Sequence, residues 1–472
     1  MLKKKDFRAQ SNKIMDWIEG YFQNLESYPV KSNVAPKDIY NTIPASPPQE
    51  SESLDDILKD VNEKIIPGIT HWQHPNFHAY FPANSSVESM FAEFMTAAIG
   101  AQCMIWDTSP AAAELEERMM EWLRDSMGLP NNWEGCIQDT ASTASLVAIL
   151  TAREKATDFK SNEEGVPNNL RVYCSTQTHS SIEKGVCISG IGRKNMVKIP
   201  VDDDMRMIPE RLEAQIKEDI QNGLKPCCVV TAMGTTGTVA IDDLKVIGPV
   251  CAKFDVWLHV DAAYAGSALM LAEYQWMAEG MEYADSFVFN PHKWLFTNFD
   301  CTAYYVKDVD ILLKTFEVLP EYLKTKTRGQ VNDYRDWGVP LGRRFRALKL
   351  WFVLRSFGIK GIRKRMRHHI ALNDWFANQI EESADFELVT TAVLNFTCFR
   401  YRPPAIKDEV ILNQLNQKLL DQLNTSGKAF LSHTKVNNIY ALRMVIGQTY
   451  VEQRHIEMVL EELRKIASGL DI

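Results

Sequence analysis

The stretch His259-Val260-Asp261-Ala262-Ala263-Tyr264, with Phe289-Asn290-Pro291-His292-Lys293-Trp294 following it, decides how this chain folds. Val256 to Val260 is a short apolar run of strand type that ends at Asp261, and Phe287-Val288-Phe289 is a second that ends at the Pro291 turn. In open α/β sheets ligands bind beyond the carboxyl ends of the strands, and both ionisable groups fall there. A strand-end aspartate alone is commonly a loop cap, and a lysine after Pro-His alone is commonly solvated. Together they offer an amine able to hold an aldehyde as a Schiff base and a carboxylate able to keep a pyridine nitrogen protonated. Pyridoxal phosphate requires both from a protein.

Outward from these strands the pattern repeats. Leu170 to Cys174, Met196 to Ile199, Cys227 to Ala232, Ser286 to Asn290 and Ala303 to Val306 read as strands buried on both faces. Helical runs such as Leu146 to Lys155 and Pro209 to Asn222 separate several of them, which predicts an α/β domain with a mostly parallel central sheet. After Gly361 shorter, antiparallel-looking strands (Phe396 to Tyr401, Tyr440 to Met444) alternate with helices at Glu409 to Asn424 and Val451 to Ser468, a smaller α+β domain. The N-terminal part has helical spacing over Phe7 to Phe22 and Leu54 to Ile65. Between these lies a connector with Pro36, Pro44, Pro47 and Pro48, expected to be extended and irregular. The expected division is a helical arm at 1–88, a large domain at 89–360 and a small domain at 361–472. Such an arm packs either on its own domain or on a partner subunit.

The chain has 472 residues, 45% hydrophobic and 24% charged, enough for a large core. Its net charge of -9 argues against a nucleic-acid partner. The basic run Lys360 to His369 is expected to be a solvated helix face. Nine cysteines without a CxxC framework fit reduced thiols, no metal site is expected, and Met1-Leu2-Lys3-Lys4-Lys5 is followed by polar residues instead of an apolar signal core. No run approaches the roughly 20 apolar residues of a membrane span, so a cytoplasmic protein is expected.

Thr140 and Ser142, in Gln138-Asp139-Thr140-Ala141-Ser142, stand where a helix begins, a place for simple N-capping or for a phosphate cradle. Gly234-Thr235-Thr236-Gly237, after a strand, either faces the same cleft or is a plain turn.

Thr140-Ala141-Ser142, Gln177-Thr178-His179-Ser180-Ser181, Gly234-Thr235-Thr236, His259 to Gly266 and Asn290 to Trp294 resemble, in order and spacing, the pyridoxal-phosphate decarboxylases of aromatic L-amino acids. The similarity runs from His74-Pro75-Asn76-Phe77-His78-Ala79-Tyr80-Phe81-Pro82 into the C-terminal domain. It implies the fold type I architecture of pyridoxal-phosphate transferases and a homodimer in which the arm wraps the partner. It further implies Lys293 as the Schiff-base lysine, Asp261 as partner of the ring nitrogen, and His179 stacked on the ring with Ala263 on its other face. Ala141, Ser142, Asn290 and His292 resemble the phosphate-binding set, and Thr236 matches a position close to His179. Leu319-Pro320-Glu321-Tyr322-Leu323-Lys324 resembles the family's catalytic loop, with Tyr322 as proton donor.

The expected reaction is decarboxylation of tryptophan, 5-hydroxytryptophan, DOPA, tyrosine or phenylalanine to the amine and CO2. Tyr264 with Trp72, Tyr80, Phe81 and Trp106 points to a ring pocket, and the aromatics could equally be core. The expected substrate set is Trp72, Tyr80 and Phe81 with Pro82, Gln102, Met104, His292 and Gly342. Aldehyde-forming relatives carry Phe in place of the loop tyrosine or Asn in place of the stacking histidine, whereas this chain has Tyr322 and His179. Histidine decarboxylases tend to have Ser at the positions of His292 and Gly342, and plant enzymes selective for phenolic substrates have Ser at the latter. Glutamate decarboxylases commonly differ after the two alanines. Gln102, Cys103, Met104 and Asp107 depart from the more apolar stretch of animal relatives and leave the ring preference open. A scaffold that has lost catalysis is disfavoured by the joint retention of Lys293, Asp261, His179 and Tyr322, and a Rossmann module by the absence of GxGxxG after any strand.

Overall fold

The computed structural model describes residues 4–318 and 330–470. Two compact units result, one of residues 83–371 and one that joins residues 1–82 to residues 372–472.

The first unit is built on a seven-stranded sheet. Its strands are β1 (Glu134–Gln138), β2 (Leu170–Ser175), β3 (Met196–Ile199), β4 (Lys225–Ala232), β5 (Trp257–Asp261), β6 (Ser286–Phe289) and β7 (Thr302–Val306). The spatial order is β1-β7-β6-β5-β4-β2-β3, with β7 alone running against its two neighbours. Along β4, β5 and β6 nearly every side chain is buried, as expected where helices cover both faces of a parallel sheet. The helix Ala141–Ala156 lies against β4 to β7. Its Ala144, Val147, Ala148 and Ile149 join Cys228, Val230, Trp257, Val288 and Tyr304 in one core. Strand β1 was not expected: Glu134, Gly135 and Gln138 interrupt its apolar pattern. Lys360, Lys364, Arg367 and His368 are exposed while Ile362, Met366 and Ile370 turn inward, so the basic run is one face of the helix that follows the break at Gly358 (φ 62°) within Arg346–Glu381.

In the second unit β8 (Phe386–Leu388), β9 (Phe396–Tyr401), β10 (Ser432–Val436) and β11 (Ile439–Val445) form an antiparallel sheet in the order β10-β11-β9-β8. Helices Glu409–Thr425 and Gln453–Ser468 bury their Leu, Ile and Val faces with it. The arm contributes helix Lys4–Gln23 and helix Leu54–Asp60, the latter prolonged through Ile65. The connector between the arm's two helices departs from the expected irregular path at the single 3-10 turn Leu25–Ser27 and again in its Pro-rich part. Asp38–Thr42 forms a turn and a half of helix, entered through Lys37 in the left-handed region, with Asp38 accepting from the Ala35 amide at 2.8 Å. Among the described residues no helix is long and apolar enough to cross a membrane, and no group of His, Cys, Asp and Glu could hold a metal ion.

Candidate active site

Parallel pairing brings the two decisive segments side by side. Asp261 is the last residue of β5 and pairs with Val288 of β6. Beyond the strands the ladder continues, with the Ala262 amide donating to Val288 O (2.9 Å) and the Asn290 amide to Ala263 O (3.0 Å). The Asp261 loop and the turn Pro291–Trp294 therefore leave the sheet together. Asp261 Oδ1 accepts from the Ala263 amide at 3.1 Å, which fixes the carboxylate's rotamer. Ala263 itself is partly exposed beside it.

Burial draws the Lys293 ammonium down to about 8, opposed by the attraction of Asp261. Burial likewise lowers His179, with Asp261 raising it and Lys293 and Lys184 lowering it further. The three groups thus share one electrostatic neighbourhood. His179 is the N-cap of helix Ser180–Ile188. Its Nδ1 accepts from the Ser181 amide (3.2 Å) and faces the Ser181 hydroxyl at 2.8 Å. With Nδ1 committed as an acceptor, the neutral ring carries its proton on Nε2, and its plane is set by the start of the helix.

Thr140 caps helix Ala141–Ala156, its hydroxyl accepting from the Thr143 amide, while Asp139 accepts from the Thr140 amide at 2.6 Å. The amides of Ala141 and Ser142 are in the first helical turn, have no acceptor within the helix and stand at the positive end of its dipole. Thr302 on β7 joins this start to the lysine turn, its hydroxyl lying 2.8 Å from Asn290 Oδ1 and 3.0 Å from Asp139 O. His292 is buried, accepts at Nδ1 from the Cys301 amide (3.0 Å) and is pulled down to about 3, first by burial and then by Lys293. It is a neutral donor through Nε2. Ala141, Ser142, Asn290 and His292 therefore lie on adjoining segments. Thr236 is on the exposed side of a turn shaped by Thr235, whose hydroxyl accepts from the Ala240 amide. At Gly234 (φ 91°) a Cβ would approach the Ala265 Cβ to 2.6 Å, so this turn packs closely on the segment after Asp261.

Gln102, Met104 and Gly342 also come together. Gln102 Oε1 accepts from the Arg343 amide (2.8 Å), Met104 O from the Arg335 amide (2.8 Å), and a Cβ at Gly342 would stand 3.4 Å from Gln102 Nε2. Trp106 donates to Glu114 from its indole nitrogen. Trp72, Tyr80, Phe81 and Pro82 belong to the other unit. There Trp72 and Tyr80 stack with both rings exposed, Tyr80 at φ 55°, whereas Phe81 and Pro82 are buried, Phe81 under the Arg443 guanidinium. Tyr322 and its loop lie outside the described residues.

Sequence reading attached no role to Thr302, Ser145, Ser286 or Glu116, whose partners are remote in sequence, nor to His259 beyond its place in a motif. The only available signal was that His259 shares a strand face with Asp261.

The donor set suits pyridoxal phosphate: a lysine with a depressed pKa, a strand-end carboxylate and a helix start with unpaired amides. A model of the pyridoxal-dependent decarboxylase conserved domain matches residues 36–402. Tyrosine decarboxylase 4 of Petroselinum crispum is 38% identical, over 99% of this chain and 94% of its own. The phenylacetaldehyde synthase of Arabidopsis thaliana is 40% identical, over 99% and 96%. The solved structure of Oryza sativa TDC with PLP and tryptamine superposes with a TM-score of 0.96 at 35% identity, covering 99% of each chain.

Proposed function

The chain belongs to the pyridoxal-dependent decarboxylase family, and from that premise we propose that it converts an aromatic L-amino acid into the arylalkylamine and CO2. It is a pyridoxal-phosphate-dependent carboxy-lyase. The observation that carries the reading is the convergence of Lys293, Asp261 and His179 at the ends of β5, β6 and the start of helix Ser180–Ile188.

Bound pyridoxal phosphate supplies an electron sink for the bond that breaks at the α-carbon. The chain's residues prepare for that. Burial draws the Lys293 ammonium down to about 8, which raises the share of neutral amine near neutral pH and suits Lys293 to act as the nucleophile. Asp261, held by the Ala263 amide, keeps a proton on the ring nitrogen. His179 presents a ring face that its helix cap prevents from turning. The first amides of helix Ala141–Ala156, with Ser142, Asn290 and His292, receive the phosphate. Tyr322, from family likeness, returns the proton to the α-carbon.

Gly342 beside Gln102 supports an aromatic ring as the side chain accommodated. Among the described residues, helix Val87–Ile99 leaves Phe91, Phe94, Met95 and Ile99 exposed, an apolar face that supports a homodimer, with the arm as a second contact. Eight of nine cysteines are buried free thiols, in keeping with a cytosolic enzyme. The test is a panel of aromatic amino acids, glutamate and histidine assayed for amine, aldehyde and CO2. Amine and CO2 from aromatic substrates are expected; turnover confined to glutamate or histidine would remove the aromatic assignment, and aldehyde as main product would move the chain to the oxidative branch.

A further inference from the structure

We propose that His259 is a positioning residue that fixes the separation between the two ends of the cofactor site by tying β5 to helix Ala141–Ala156. The inference rests on the reading that Asp261 holds the ring-nitrogen end and the first turn of that helix the phosphate end.

Side chains alternate along a strand, so His259 and Asp261 project from the same face of β5. His259 Nε2 is 3.0 Å from Ser145 Oγ, one turn into the helix whose first amides face the phosphate. Nδ1 is 2.9 Å from Ser286 Oγ on β6, and the Trp257 indole donates to the same oxygen at 2.9 Å. His259 has 0% of its surface open to solvent, so it has no face to offer a ligand and acts through its neighbours. Burial draws its titration down to about 4, and a neutral imidazole donates through one nitrogen and accepts through the other. Both bonds are kept in either tautomer.

The Thr302 hydroxyl holds the segment just before the helix through Asp139 O, but along the body of the helix the other contacts with the sheet are largely apolar, Ala144, Val147 and Ala148 sharing a core with Trp257, Val288 and Tyr304. Apolar burial is non-directional, so it holds the helix on the sheet without setting its position along its own axis. A directed bond from a rigid ring does set it. Sliding the helix would shift its amides relative to Asp261, and a ligand gripped at both ends would feel the change while one gripped at a single end would not.

Full-length apoprotein should therefore be titrated with pyridoxine 5'-phosphate, which engages both ends without forming a Schiff base, with pyridoxine, and with inorganic phosphate. Ser145→Ala and His259→Asn, whose amide reaches only the Ser286 side, should weaken pyridoxine phosphate about tenfold, the scale of one net hydrogen bond, with the other two ligands within about twofold. His259→Gln, which spans to Ser145, should restore near wild-type affinity. Equal weakening of all three ligands, or of none, in both Ser145→Ala and His259→Asn overturns the proposal. Asp261→Ala tests the underlying reading separately. If it leaves pyridoxine binding intact, the ring end lies elsewhere and the proposal falls with that reading. If it weakens pyridoxine but the Ser145 and His259 variants show no two-ended selectivity, the proposal alone falls.

Discussion

Replacing Glu116 with glutamine removes the charge from a buried junction of three segments. Glu116, on helix Pro110–Met127 and 2% exposed, accepts from Arg343 Nη2 at 2.5 Å and Nη1 at 3.1 Å, and from the Ile137 amide of β1 at 2.7 Å. Arg343 also donates to Ile137 O (2.7 Å), lies over the Tyr334 ring and carries the backbone amide that binds Gln102. Glutamine keeps one acceptor but turns an N–H2 group toward a guanidinium that stays buried. Breaking a buried pair in this way costs about 3–5 kcal/mol. For a unit of this size that is a fall in Tm on the order of 5–10 °C. The adjacent Glu117 is an internal control: burial and the carboxylates of Glu121, Glu134 and Glu114 raise its pKa, so Glu117→Gln should be neutral or stabilising. Calorimetry of both variants, with the double variant Glu116→Leu/Arg343→Met, checks the argument. The double variant should recover only part of the loss: an apolar pair of similar volume avoids desolvating two charges, but it leaves the Ile137 amide and carbonyl without these partners. KM for the aromatic substrate should rise in Glu116→Gln more than kcat falls, because the segment carrying Gly342 loses its anchor. A Tm change under about 2 °C for Glu116→Gln, or equal loss in Glu117→Gln, would refute the reasoning.

Borohydride reduction followed by peptide mass analysis should find the pyridoxyl group on Lys293 and lose it in Lys293→Ala; label on another lysine sinks the assignment. Asp261→Asn should still bind cofactor but lose on the order of 10²-fold in kcat, the scale of a charge removed from a poorly solvated site, and near-normal turnover would take Asp261 out of the mechanism. In Tyr322→Phe amine should fall while aldehyde, ammonia and peroxide rise under air; an amine-only product would end the proton-donor role. His74, His78, His259 and His292 are buried, with folded pKa values of about 4, 4, 4 and 3. Below the unfolded value near 6.5 the unfolded chain binds more protons, so the stability they contribute is present above pH 6.5 and lost as pH falls toward 4. Each fully titrating imidazole gives a slope of about 1.4 kcal/mol per pH unit. Denaturant midpoints that stay flat from pH 7 to 5 would contradict this.

The parallel strands were legible because they are apolar on both faces and short: Leu170 to Cys174 and Cys227 to Ala232 match β2 and β4 within two residues. Thr140 was legible as a helix start because capping is local chemistry. Strands β1 and β10 were not, since Glu134-Gly135 and Ser432-His433-Thr434-Lys435 pack partly through backbone pairing and leave polar side chains at a rim. The motif residues of the site could be named, but not what holds them. His259 reaches its serines across separations of 114 and 27 residues, and Arg343 reaches Glu116 across 227, distances at which periodicity carries no information.

The cap at His179 bears on how such a site can change over time. Asparagine is among the best N-capping residues and histidine is not, so His179→Asn leaves an acceptor for the Ser181 amide and keeps the first turn of helix Ser180–Ile188 intact. What disappears is only the flat ring. A lineage could therefore pass through that single substitution without first acquiring a compensating change elsewhere in the fold. The helix start serves as a socket whose occupant can be swapped, and architecture and chemistry at this position are free to evolve separately.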